Sequence, residues 1–119
     1  MDIILAHRQL DFDALASMVA AQKIYPNSVL VMDGKSNVYV QDFLALSRDQ
    51  LRFHKAQDIN VDEVFRIILV DTHELRRAGL LGEKLAKLPD VQVEIYDHHP
   101  YSGELKPGMV IETVGACAT

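Results

Sequence analysis

The 119-residue sequence predicts an α/β domain: a parallel five-stranded sheet with helices on both faces. Three observations carry that expectation. Short apolar runs of strand length alternate with longer stretches whose apolar residues recur at the helical period. The first run is continuously apolar, as in a strand covered on both faces and hence in a parallel sheet. Three of the runs also close on Asp or His, where a strand usually closes on Gly, Asn or Ser, so polar chemistry gathers at strand ends.

Each element follows in order. Ile3-Ile4-Leu5-Ala6 is the first strand. Asp13 is expected to cap a helix that runs through Ala14, Leu15, Met18, Val19 and Ala21, and Pro26-Asn27 stops it. Residues 28–32 form the second strand, Asp33-Gly34 a turn, and residues 38–46 a second helix. Residues 48–60 have no clear period. Residues 65–70 form the third strand, and residues 80–88 a helix ended by Pro89-Asp90. Residues 91–96 alternate as the fourth strand and enter Asp97-His98-His99. Residues 100–108 hold two prolines and two glycines and read as a loop before the fifth strand, Met109-Val110-Ile111. Val114-Gly115-Ala116-Cys117-Ala118-Thr119 resembles the opening of a helix, so residues 1–119 are expected to be one domain, the front piece of a longer multidomain chain.

Composition narrows the function. A net charge of −5 disfavours a broad nucleic-acid-gripping face, which needs clustered Lys and Arg. Acidity still admits phosphate substrates, because two dications at an acidic rim would reverse its local potential. The single cysteine cannot form an intramolecular disulfide, which suits a reducing cytoplasm. No stretch approaches the roughly 20 apolar residues that span a bilayer, so no membrane association is expected.

In a parallel sheet the C-terminal strand ends share one edge, where open α/β sheets bind ligands. His7, Asp11 and Asp13 follow the first strand, Asp71 closes the third, and Asp97, His98 and His99 close the fourth. Carboxylates crowded there repel unless cations neutralise them. Imidazole with carboxylate suits manganese, iron, zinc or cobalt better than calcium. Seven polar groups exceed the needs of one ion. Two ions about 3.5 to 4 Å apart, bridged by the carboxylate of the middle strand, Asp71, fit better and point to hydrolysis of a phosphoester or phosphoanhydride by an activated water.

The string His7-Arg8-Gln9-Leu10-Asp11-Phe12-Asp13-Ala14-Leu15-Ala16-Ser17, followed by Val70-Asp71-Thr72, Asp97-His98-His99-Pro100 and Gly115-Ala116 with Thr119, resembles the DHH phosphoesterase superfamily from end to end. Lys23-Ile24-Tyr25-Pro26 and Asp42-Phe43-Leu44 resemble, more narrowly, the N-terminal DHH region of long bacterial tRNA nucleotidyltransferases and poly(A) polymerases that carry CBS domains. The resemblance implies the strand order 2-1-3-4-5. It implies that His7, Asp11 and Asp71 hold one divalent metal and Asp13, Asp71 and His98 a second, with manganese first and magnesium or cobalt as alternatives. His99 would face the substrate phosphate, and Asp97 would orient the neighbouring histidines. The implied partners are a phosphate-containing small molecule or short nucleic acid, and tRNA through the rest of the parent chain. The chain departs from the family at Arg8-Gln9-Leu10, where many relatives carry Asn or Pro. It also lacks the family's later Asp ligand and substrate-binding domain, so residues 1–119 alone are expected to hydrolyse weakly or not at all.

Two other readings stay open: a metal- or nucleotide-binding regulatory module without turnover, and a stand-alone DHH phosphatase, exonuclease or inorganic pyrophosphatase. A phosphoacceptor receiver domain also places acids after its first and third strands, but has no need of three histidines there. Outside the cluster, His73 reads as a solvated loop residue and His54 as surface. Arg76-Arg77 reads as a solvated helical face more than a phosphate guide, and Cys117 as a small packing residue.

Overall fold

In the computed structural model the described residues are 1–34, 36–98 and 109–113, the last as backbone only. The expected loop at 100–108, the helix opening at 114–119, His99 and Cys117 lie outside them. The strands are β1 (Asp2–Leu5), β2 (Val29–Met32), β3 (Phe53–Lys55), β4 (Arg66–Val70), β5 (Gln92–Asp97) and β6 (Met109–Thr113), with helices α1 (Phe12–Ile24), α2 (Val38–Leu46) and α3 (Gly79–Ala86). All strand pairs are parallel, in the order β3-β2-β1-β4-β5-β6. The five expected strands are present in the expected order. One more, β3, adds an edge to the sheet beside β2. Its three residues are half-buried or exposed, so no apolar pattern marks them in the sequence.

Alternation along the strands sorts the core into two layers. Ile4, Leu30 and Ile68 face α1 and α2, packing with Ala14, Leu15, Met18 and Val40. Ile3, Leu5, Val31, Ile67, Leu69 and Ile95 face the other way, against Leu81 and Leu85 of α3. Each such side chain stabilises the fold by roughly 1.5–3 kcal/mol through apolar burial. The helices sit on the sides that right-handed crossovers require, since the chain steps outward from β1 through α1 and α2 and then back past β1 to β4 and α3.

One cap differs from expectation. Asp11, not Asp13, closes α1: its Oδ1 accepts the Ala14 N–H at 2.8 Å, which leaves Asp13 in the first turn. Asp11 takes the cap because its backbone is extended, φ −102° and ψ −179°, and so aims its oxygen at the N3 amide. Asn37 caps α2 by accepting the Tyr39 N–H.

The end of the sheet opposite the strand C-termini holds a polar network. Arg66 donates to Asp2, lies 4.9 Å from the Tyr25 ring centre, and pairs with Glu94. Burial, reinforced by hydrogen bonds to Glu94 and Tyr96, pushes the Tyr25 hydroxyl's pKa up, and the Asp2 bond raises that of Arg66. At working pH, Tyr25 is therefore a neutral donor that bridges the end of α1 to β5.

Asp33, just after β2, crosses to the other layer, where its Oδ2 accepts the Leu81 N–H at 2.9 Å at the start of α3. Gly79 makes this close approach work. Its φ of 91° and ψ of −161° belong to a region essentially reserved for glycine, and an added Cβ would collide with the Asp33 carboxylate. Gly79→Ala is expected to lower stability by at least about 2 kcal/mol, combining strain and collision, whereas Leu80→Ala on the exposed face should stay within about 0.5 kcal/mol. Urea denaturation of both variants checks this; equal midpoints would show that the approach carries no cost.

Candidate metal centre

β1 lies between β2 and β4, and the direction of the crossovers reverses between β1 and β4. At such a switch point the loops diverge and open a crevice beyond the strand C-termini. A cleft of about 760 Å³ lies there, lined by His7, Asp11, Asp13, Asp71 and His98 among others. Register explains the convergence. Leu5 pairs with Leu69, and two residues further on stand His7 and Asp71; Val70 pairs with Tyr96, and two residues beyond Tyr96 is His98.

Asp71 is the centre of the arrangement. It is buried, and it is the one described non-glycine residue with positive φ, 59°. Asp tolerates that left-handed conformation better than most residues, but it remains uncommon and concentrates at functional positions. The Asp71 N–H still donates to the Tyr96 carbonyl at 3.0 Å, so the strand turns without losing its hydrogen bond to β5.

The two carboxylate oxygens of Asp71 serve different neighbours. Oδ2 lies 3.3 Å from His7 Nε2, and Oδ1 lies 3.3 Å from His98 Nε2. His7 Nε2 is also 3.8 Å from Asp11 Oδ2, so Asp11 caps α1 with one oxygen and faces the cluster with the other. Two triads result, His7-Asp11-Asp71 and Asp13-Asp71-His98, each with ligand atoms within 4.8 Å of one another. Bonds of about 2.0–2.2 Å to one ion place two neighbouring ligands about 3.0–3.5 Å apart, so the 3.3 Å separations fit shared coordination. Nitrogen and oxygen donors of this kind can hold a divalent ion, and the absence of sulfur from the cluster weakens a structural zinc reading.

Asp97 is buried, and its Oδ2 lies 3.0 Å from His73 Nδ1. This corrects the reading of His73 as a solvated loop residue. Its side chain is mostly buried and joined to the end of β5. The available signal was its position two residues beyond Asp71, which aims it toward the neighbouring strand end. His54 is exposed, as expected. Arg76 and Arg77 are exposed as well, but on a 3-10 turn, Leu75–Ala78, that lines the cleft with Arg8. The expected solvated helical face is therefore part of the site's wall.

The Arg8-Gln9-Leu10 segment has a structural role. Leu10 is buried against α1 and α2, its carbonyl accepts the Asn37 N–H at 3.0 Å, and the Arg8 N–H donates to the Arg77 carbonyl at 2.8 Å. The loop that carries His7 and Asp11 is thus held from both sides. Among the described residues, no helix is long and apolar enough to cross a membrane.

No family model matches the chain. Over its whole length it is 38% identical to an A-adding tRNA nucleotidyltransferase from Geobacter sulfurreducens, of which the alignment covers 14%. An A-adding tRNA nucleotidyltransferase from Aquifex aeolicus is 26% identical over 98% of the chain and 13% of that protein. The chain spans about 14% of the length of the curated relatives it matches. It is therefore related to one short part of tRNA nucleotidyltransferases.

Proposed function

We propose that the chain is a DHH-type, two-metal phosphoesterase domain that forms the N-terminal part of an enzyme adding nucleotides to tRNA 3′ ends. The observation that carries the hydrolytic half is Asp71, whose two oxygens each face a different histidine-containing triad. His7, Asp11 and Asp71 would hold one ion, and Asp13, Asp71 and His98 the other. Two such ions would supply a water acidified enough to attack at neutral pH and positive charge for the phosphoryl oxygens. The protein orients the donors: α1 fixes Asp11 through its cap, β4 fixes Asp71, and β5 leads directly into His98. Asp97 and His73 brace the rim beside them. His99, next in the chain, would contact the substrate phosphate. The tRNA half rests on the two relatives, in which the matching part is a small share of the whole. The net charge of −5 favours placing the main tRNA grip and nucleotide addition elsewhere in the parent chain, and the single cysteine suits a reducing cytoplasm.

Titration with Mn(II) by calorimetry is expected to show two bound ions, and Asp71→Asn to weaken both by at least about tenfold, the scale expected when metal-site groups are removed. Unchanged affinity in that variant would remove the bridging role. Asp11→Asn adds a finer test. Asparagine caps a helix as well as aspartate, so stability should change by less than about 0.5 kcal/mol while affinity for one ion falls.

A phosphodiesterase assay of the full-length protein with manganese separates a hydrolase from a binding module, since a binding module would hold the ions without turnover. For the parent enzyme, tRNA and labelled nucleotides should give addition with the full-length protein and with a version lacking residues 1–119, and none with this chain alone. Addition by this chain alone would overturn the assignment.

A further inference from the structure

The metal cluster does not account for the whole cleft, which is also lined by Arg8, Arg76 and Arg77. All three are exposed, and none forms an ion pair with any described residue, although the protein carries an excess of acids. Asp11 and Asp71 face histidines instead, and Glu83, also in the lining, makes no ion pair with the arginines. Three exposed guanidinium groups without a carboxylate partner among the described residues are open to an anion in the cleft, and the planar fork of Arg matches phosphate in particular.

The backbones beneath these side chains are fixed. Arg8 N–H donates to the Arg77 carbonyl at 2.8 Å, and Arg77 N–H donates to Glu74 at 3.0 Å. The stem of Arg8 lies on Gly34, where an added Cβ would come 2.8 Å from Arg8 Cγ and where φ is 89°. Gly79 and the Asp33 contact to Leu81 lock the chain immediately after Arg76 and Arg77. Loops after β1, β2 and β4 therefore cooperate to place the three residues on the lining of one cleft. The cleft's volume of about 760 Å³ lies in the upper part of the roughly 300–1,000 Å³ range of small-molecule sites and exceeds what a single phosphate fills.

We infer that Arg8, Arg76 and Arg77 form a second anion subsite that takes a non-reacting phosphate of the substrate, so that the cleft selects nucleotides carrying two or more phosphate groups over nucleoside monophosphates. This rests on the reading that the reacting phosphate sits at the Asp71 cluster. The second phosphate is either the neighbouring linkage of an oligonucleotide or the further phosphate of a bisphosphorylated or diphosphorylated nucleoside. Both present the same charge to the arginines.

The test measures affinities of AMP, ADP, adenosine 3′,5′-bisphosphate and the 5′-phosphorylated dinucleotide pApA for the manganese-loaded protein by calorimetry. At least one doubly phosphorylated probe should bind about tenfold or more tightly than AMP. Which of them does so tells an oligonucleotide from a diphosphate. In Arg76→Gln/Arg77→Gln, and separately in Arg8→Gln, that preference should fall to about twofold or less, with partial recovery in the corresponding Lys variants, which keep the charge and lose the fork. Manganese occupancy, read independently by electron paramagnetic resonance, should equal the parent's in every variant. Preference retained in the Gln variants, or AMP and all doubly phosphorylated probes binding equally to the parent, overturns the subsite. Absence of manganese binding in the parent would instead overturn the metal reading. The same four probes titrated in EDTA then test the arginines on their own, with the preference expected to remain and its loss counting against them.

Discussion

Parallel hydrogen bonding among β1, β4 and β5 is the constraint on which the rest of the molecule depends. Because the three strands run the same way in fixed register, residues at equal distances beyond their paired positions emerge at the same height. His7 and Asp71 stand two residues past the Leu5–Leu69 pair, and Asp97 is level with Asp71 across the β4–β5 pairing. A shift of one residue in either pairing would exchange the faces of the strand and empty the cluster of a ligand. The buried apolar layers on both sides of the sheet therefore hold the chemistry in place as well as the fold.

That constraint collects charge at one end of the sheet and leaves the protein to manage it. At the strand C-termini, Asp71 is buried in a left-handed conformation with each oxygen beside an imidazole. A buried carboxylate without such partners would be costly, and backbone strain at the same residue adds to the cost, so the arrangement makes sense for a site that binds cations. At the opposite end, the Asp2, Arg66, Glu94, Tyr25 and Tyr96 side chains satisfy one another almost completely; Asp2 Oδ1 alone is buried without a partner. The closed network locks α1 to the sheet, while the open one is left to receive ligands.

The crossing of Asp33 to α3 joins the two sides of the cleft. It ties the loop after β2, where Gly34 supports Arg8, to the turn that carries Arg76 and Arg77. The acidic and basic parts of the site are thus built on shared supports. If the arginines take a second phosphate as proposed, a phosphate chain would meet two preorganised halves, with little of the ordering cost that flexible loops impose.

By itself the sequence determined the α/β class, the five long-range strands, the bounds of α2 and the clustering of His7, Asp11, Asp13, Asp71 and His98 at one sheet edge. Those features are legible because burial on two faces demands apolar runs and because Asp and His gathered after three such runs exceed what caps and turns require. Tertiary structure alone decided four others. β3 is a strand only because β2 offers it an unpaired edge, and its exposed residues carry no period. Asp11 rather than Asp13 caps α1, since both spacings read alike until the backbone aims one oxygen at Ala14 N–H. His73 joins Asp97 across 24 residues, and Arg8 meets the turn of Arg76 and Arg77 across nearly 70, approaches that depend on strand order and loop packing. Local pattern encodes which face a residue takes. Which distant side chain it meets there is set by the register of the assembled sheet.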